Sequence, residues 1–466
     1  MAEGLEYAGQ VLIEELVLIT AEGSTGMQFG QRIKLDEFLV ELNIFEDMFK
    51  NYMYGTIVLT DSRNLIDIFK IQGREKLIVR LRTPSFLPKD IISKTFNVFR
   101  LSDRVVVPNK INSDTQNYTL HFVSPEFEGD VVNQIFEPFE GKIDEVVAKL
   151  GGYVMAGGGN VTRNFDIEPV ANKIKFISPG WTPFRCINWL ATKSIPMITR
   201  AKNFIFYESN KGFYFRNIEL LFKVAVEQEK YIGTYYIAGA DIDIKQSELN
   251  ADLNREMFIA SDVVMLESSD YIKYKTSGYL ANRLIYLDVY NKEYESVNYK
   301  HHQAYPTQFH SSGSGLTAIP PFGVGSGGAT PQSNISFYPK NPRLYQTSVD
   351  EYFKDNINEK MGEIHGNRMS SMMELNNIKM QITVPGRTDI EVGLMLKFNF
   401  PPVQPRDITD SAEEKIDKLY SGYYLITAIH HKVNKKNHTM TMELTKDSLY
   451  VDPESATRGH NGFSIG

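Results

Sequence analysis

Paired carboxylates, clustered histidines and a glycine-rich run are the groupings in this sequence that could support chemistry. Glu126, Glu128 and Asp130 follow Ser124 and Pro125, and two such acids could serve glycosidic cleavage in a cell-wall hydrolase. Acids just after a Ser-Pro pair also suit the first turn of a helix, where the dipole favours negative charge, and this is the preferred reading. His301, His302 and His310 lie in one stretch and could ligate a metal. Neither a cysteine nor an HExxH helix accompanies them, so they are expected to be solvated loop histidines. His430 and His431 are adjacent in a strand-like segment; neighbouring strand side chains point to opposite faces, so the two cannot easily share an ion. Asp241 and Asp243 could touch a cation, but they read as an exposed polar strand face. Gly323, Gly325 and Gly328 match G-x-G-x-x-G. Dinucleotide binding needs a strand before that pattern and a helix after it, whereas here Pro320, Pro321 and Pro331 surround it. No G-x-S-x-G elbow, phosphate loop or cysteine nucleophile with a base is present. The residues assign no catalytic, cofactor or metal site, and the sequence reads as a non-enzyme.

The elements that would carry these residues are mostly strands. The chain has 466 residues, enough for about two to four cores. Aromatic residues make up 12% of it, with 28 Phe and 25 Tyr, and such residues favour pleated, half-buried surfaces. Hydrophobic residues make up 42% and charged ones 23%, the balance of a folded protein. A net charge of −7 without any basic run argues against tight nucleic-acid binding. The single cysteine, Cys186, fits assembly in a reducing cytoplasm. MAEGLEYAGQ lacks the features of a signal peptide, and Glu14 and Glu15 interrupt the apolar stretch VLIEELVLIT, so no membrane anchor is expected.

Alternation of apolar and polar residues predicts strands in DEFLVELNIF, NYMYGTIVLT, KLIVRLR and NYTLHFV. Helical spacing appears in GDVVNQIF and KIDEVVAKL, and Pro183 marks a helix start in WTPFRCINWLATKS. NFIFYESNKGFYF reads as a hairpin turning at Ser209, Asn210 and Gly212, with Phe204, Phe206, Phe213 and Phe215 as a core stripe. The strand-like NRLIYLDVY is followed by a helix, DNINEKMGEIHGNRMSSMMEL. Ile357, Met361, Ile364 and Met372 share one of its faces, and Met369 and Met373 provide ordinary packing. Four more strands are expected in IKMQITV, IEVGLMLKF, GYYLITAIHH and HTMTMEL. SSGSGLTAIPPFGVGSGGATPQ reads as a flexible loop.

A weak duplication runs through these segments. EKLIVRLRTP resembles VGLMLKFNFP, pairing Leu77 with Leu394, Arg80 with Lys397 and Pro84 with Pro401; QNYTLHF resembles KNHTMTM, pairing Asn117 with Asn437 and Phe122 with Met442. The spacing between matched segments is 40 residues in one copy and 43 in the other. Each copy adds an upstream strand and a hairpin arm. The expectation is a mainly β protein with α+β insertions, containing two similar antiparallel β-barrels, the second interrupted by an insertion. The expected divisions are a first barrel over 1–124, an α+β connection over 125–200, and a second barrel from 201–244 with 376–450. An insertion spans 245–375 with its loop at 310–332, and a tail covers 451–466.

ISPGWTPFRCINWLATKS, FIFYESNKGFYFRNIELL, DYIKYKTSGYLANRLIYLDVYNKEY, ITVPGRTDIEVGLMLKFNFP and SGYYLITAIHHKVNKKNHTMTMELTKDS together resemble the baseplate hub proteins of contractile-tailed, myovirus-type bacteriophages, relatives of the base of type VI secretion spikes. The resemblance implies a virion protein forming a homotrimer whose six barrels match the sixfold tail tube. It implies partners in the central spike protein, the tail tube or its initiator ring, and other baseplate wedge proteins, with DNA passing through the lumen unbound. No β-helix follows the second barrel, so the spike is expected to be a separate polypeptide. The loop after His310 is longer than the family pattern and the loop 401–419 is long and acidic, so contacts there do not carry over. The alternatives are a type VI secretion-like spike base and, in a different class, a tail-associated cell-wall hydrolase.

Overall fold

The computed structural model describes residues 5–21, 30–84, 91–107, 115–155, 164–238, 256–268, 270–289, 292–312, 334–339, 357–401, 417 and 419–449. The alternating segments at the start form seven strands: β1 (Leu12–Ile19), β2 (Arg32–Lys34), β3 (Leu39–Asp47), β4 (Tyr54–Asp61), β5 (Lys76–Arg82), β6 (Ile91–Val107) and β7 (Thr115–Val123). They lie in the order β2-β1-β5-β6-β7-β4-β3, antiparallel throughout. Period two decides which residues meet. In β5, Leu77, Val79 and Leu81 are buried while Lys76 and Arg80 face outward. The inward set joins Leu18, Leu42, Ile57, Phe96 and Phe122 in one core, each such side chain stabilising the fold by about 1.5–3 kcal/mol.

An α/β layer follows. It contains β8 (Pro138–Lys142), β9 (Asn164–Ile167), β10 (Lys173–Ile177), the hairpin β11 (Phe204–Glu208) and β12 (Gly212–Asn217), and helices Pro125–Val132, Ile143–Met155 and Pro183–Ala191. Thr182 caps the last helix by accepting from the Arg185 amide at 3.4 Å, with Pro183 in its first turn. The first helix begins at Pro125 and ends before Asn133, so GDVVNQIF is only half helical. Ile218–Glu227 forms a helix with no counterpart among the sequence expectations, capped by Asn217, which accepts from the Leu220 amide.

The second half repeats the first. Its strands are β13 (Thr234–Ile237), β14 (Ile259–Ala260) and β15 (Asp262–Ser268), then, after the insertion, β19 (Ile378–Pro385), β20 (Met395–Asn399), β21 (Gly422–Val433) and β22 (His438–Lys446). Their order, β14-β13-β20-β21-β22-β19-β15, reproduces that of β2-β1-β5-β6-β7-β4-β3, strand for strand in chain order. One difference is that β13 runs parallel to β20, where β1 is antiparallel to β5. β14 and β15 fall within 245–375, the span expected to be insertion, and pair with β13 and β19 of the second half.

The two halves are not separate sheets. β21 pairs with β3 from Val433↔Leu42 to Ala428↔Asp47, giving one 14-stranded sheet. Strand pairing alone does not close either half into a barrel among the described residues. In each half, however, one short segment bonds to both ends of the ladder. Residues 32–47 reach β1 through β2 and β4 through β3, and residues 259–268 reach β13 through β14 and β19 through β15.

The insertion is a sheet built from β16 (Ala281–Asp288), β17 (Glu293–Lys300) and β18 (Asn334–Pro339), with β16 in the middle, under the helix Ile357–Glu374. Gly362 and Gly366 let that helix approach closely: a Cβ at Gly366 would stand 2.5 Å from Tyr299, and one at Gly362 would stand 2.9 Å from Val297.

Candidate functional site

The residues singled out by type fall in different places. Glu126 is buried, Glu128 is exposed and accepts from Asn97 Nδ2 at 2.5 Å, and Asp130 is buried and accepts from the Phe184 amide at 2.6 Å. Glu126 and Glu128 lie in the first turn, as expected, while Asp130 bonds the start of the neighbouring helix. Burial raises Asp130 above the ordinary carboxylate range, against the hydrogen bonds it accepts. Phe204, Phe206, Phe213 and Phe215 pack in the core of the α/β layer, while Ile205, Tyr207 and Tyr214 on the other face of the same hairpin join the core of the second half. Met361 packs with Leu284 and Tyr286 of β16, and Met372 and Met373 border two other apolar clusters. Cys186 is buried beside Ser178 Oγ at 3.3 Å. Asp241, Asp243, Gly323, Gly325 and Gly328 lie outside the described residues, as does the tail 451–466.

His430 and His431 divide as period two requires. His430 stacks on Phe45 at 4.4 Å between ring centres and bonds Asn43 Oδ1 at 2.7 Å. His431 points the other way, into the seam between the halves. Its Nδ1 meets His438 Nε2 at 3.0 Å, and its Nε2 lies 3.5 Å from Glu46 Oε1. All three residues are buried, and burial holds His438 well below the ordinary imidazole range. A second buried contact ties the first half to the hairpin. Lys94 Nζ reaches Glu208 Oε1 at 2.8 Å and the Ser209 carbonyl at 2.6 Å, while Glu208 Oε2 accepts from the Met53 amide at 2.7 Å.

The expectation of solvated loop histidines at 301–310 is overturned. His301 and His310 are buried and His302 is half-buried. His310 Nδ1 lies 2.8 Å from Asp447 Oδ2, its Nε2 donates to the Tyr305 carbonyl at 2.9 Å, and Tyr305 stacks on its ring at 3.7 Å. Asp447 Oδ1 accepts from both the amide and the hydroxyl of Ser311. Glu374, at the end of the long helix, completes a buried group of three possible ligands whose ligand atoms all lie within 4.8 Å of one another. Burial works against a charged His310, but the Asp447 carboxylate outweighs it and pushes the imidazole up to about 9. Burial drives His301 down to about 3, helped by the neighbouring His310 and His302. Glu374 is raised well above the ordinary range by burial and then by Asp447. Asp447 is held low despite burial, by His310 and Ser311. His310 and Asp447 are 137 residues apart in sequence, so spacing cannot pair them. The polar run TKDSLY after an apolar strand is the available signal.

No protein-family model and no curated protein matches the chain. Its structural neighbours are phage tail proteins and type VI secretion complexes. The 43 kDa tail protein of prophage MuSo2 from Shewanella oneidensis aligns over 92% of this chain and 97% of its own, at 9% identity and a TM-score of 0.47. A tail protein from Neisseria meningitidis aligns over 96% and 98%, at 10% identity and a TM-score of 0.46. The Francisella PdpA–VgrG complex, in a half-lidded state, aligns over 93% of this chain and 58% of that one, at 10% identity and a TM-score of 0.43.

The surface offers an open cleft of about 900 Å3 between the first half and the helix Pro125–Val132, lined by Tyr52, Phe99, Phe127 and Val132 with Arg74 and Lys76. Phe99 and Val132 are 56% and 74% exposed, an apolar face of the kind used for packing against another protein. Among the described residues, no helix is long and apolar enough to cross a membrane.

Proposed function

We propose that this chain is the structural hub of a contractile phage-tail baseplate, a homotrimer that adapts the sixfold tail tube to the threefold central spike and leaves a channel for DNA. The observation that carries this reading is the duplicated strand order. Seven strands recur in the same chain order and the same lateral order, with the insertion placed between the third and fourth strands of the second copy. Each copy also has a segment bonded to both ends of its ladder, which supports reading each half as a barrel. Three chains with two such units offer six similar surfaces, and contacts between unlike units close a ring. The partners in this reading are the spike protein, the tail tube or its initiator ring and the wedge proteins. A net charge of −7 suits a lumen that DNA must pass without being held. The protein acts by assembly in the virion after synthesis in the host cytoplasm, and no residue is assigned a catalytic role. Light scattering on the purified protein, alone and with its spike protein, tests the proposal. A trimer is expected; a stable monomer under both conditions overturns it.

A further inference from the structure

The cluster at His310, Glu374 and Asp447 is built more completely than an ion pair requires. His310 and Asp447 could balance each other's charge, but they leave Glu374 unaccounted for. That carboxylate is buried, its Oε1 makes no hydrogen bond, and its near neighbour is His301 Nδ1 at 3.3 Å, a nitrogen already bonded to Ser370 Oγ at 3.0 Å. An orphaned acid beside a second acid is costly in a dry interior. The outer contacts are those that hold metal ligands in place. Nε2 of His310 is fixed by a backbone carbonyl, which turns Nδ1 towards the two carboxylates, and the far oxygen of Asp447 is fixed by Ser311.

We propose that His310 Nδ1, Glu374 Oε1 and Asp447 Oδ2 bind a divalent transition-metal ion, with Zn2+ the best match, which clamps the insertion to the end of the second β half. One imidazole and two carboxylates form a mixed nitrogen and oxygen set that suits zinc, with the fourth position left for a water molecule. The ligand atoms lie within 4.8 Å of one another; to reach the roughly 3.3 Å spacing set by zinc–ligand bonds of about 2.0–2.1 Å, His310 Nδ1 and Asp447 Oδ2 must part from their present 2.8 Å while Glu374 closes on them. On binding, the metal displaces the Nδ1 proton of His310 and any proton on Glu374, and both leave to solvent. Two carboxylates, a neutral imidazole and a 2+ ion sum to zero charge. Tyr305 covers the His310 ring, so the site is closed and its role is structural. The three ligands come from the segment that follows β17, the end of the long helix and the residue after β22, three elements far apart in sequence that one ion would hold together. This inference does not depend on the hub reading.

The test uses the full chain, stripped by a chelator and then given ZnCl2 or CoCl2. Zinc retained after gel filtration should be about one ion per chain in the wild type and in His121→Gln, a remote control, and at least about tenfold lower in His310→Gln and Asp447→Asn. Co2+ on the wild-type chain should give a visible absorption band stronger than that of the aquo ion, a measurement that needs no variant to fold. Retention that is equal in all four proteins overturns the proposal, as does a Co2+ spectrum identical to that of the free ion.

Discussion

At the residue scale, the stability of the seams rests on charges that have lost their water. Lys94 and Glu208 are 3% and 0% exposed, so removing one partner strands the other. Lys94→Met should destabilise the protein by about 3–5 kcal/mol in urea denaturation, and pairing it with Glu208→Leu should restore much of that loss. Glu168 offers a pH signature. It accepts from the Asn217 amide at 2.7 Å, yet burial dominates and lifts it to about 7. The native state therefore keeps a proton that the unfolded chain has released. The stability contributed by Glu168 should be fully present below about pH 4.5 and fall by about 3 kcal/mol as pH rises to about 7, and Glu168→Gln should remove this component of the slope in denaturation curves across that window. The acids at 126–130 are held in packing and capping contacts. Exchanging Glu126 and Glu128 for Gln should leave a peptidoglycan zymogram of the particle unchanged; loss of clearing with assembly intact would revive the hydrolase reading.

At the element scale, close backbone approach decides where side chains are allowed. Gly55 in β4 faces β3 and β7, and a Cβ there would stand 2.1 Å from the Asn43 carbonyl and 2.4 Å from the Phe122 ring. Gly55→Val should cost at least about 2 kcal/mol in thermal or urea unfolding, because the neighbour that must yield is sheet backbone. The strands and hairpin turns are legible because period two writes itself into every second residue, as in Leu77, Val79 and Leu81. The helix Ile218–Glu227 escapes a sequence reading because its Ile-Glu-Leu-Leu-Phe start continues the aromatic run of β12 without a Gly or Pro to separate them. β14 and β15 read as insertion because their partners, β13 and β19, flank them in space and are separated from them in sequence.

At the scale of the whole molecule, the two copies share one continuous sheet through β3 and β21. If the assembled hub uses them as equivalent surfaces, superposing 77–122 on 394–442 in the particle should require a rotation of about 60° about the tail axis, the step of a sixfold ring. A cryo-EM reconstruction of the baseplate measures that angle. One copy lying away from the ring would end the symmetry-adaptor mechanism. The seam also sets cooperativity: with Glu46, His431 and His438 buried where the halves meet, the halves should unfold together in calorimetry, and two separated transitions would contradict this.

The sequence by itself determined the β character, the duplication and the opposite faces of His430 and His431, because these depend on local period and on matched spacing. It also placed Phe204, Phe206, Phe213 and Phe215 in a core, since alternation gives one face of a hairpin a common fate. Only the tertiary structure joined the two copies into one sheet and carried His310 into contact with Asp447 and Glu374. The physical reason is that burial and charge pairing between distant segments follow from how the sheets close on each other, and a histidine in a polar stretch looks the same in sequence whether it meets water or a buried carboxylate.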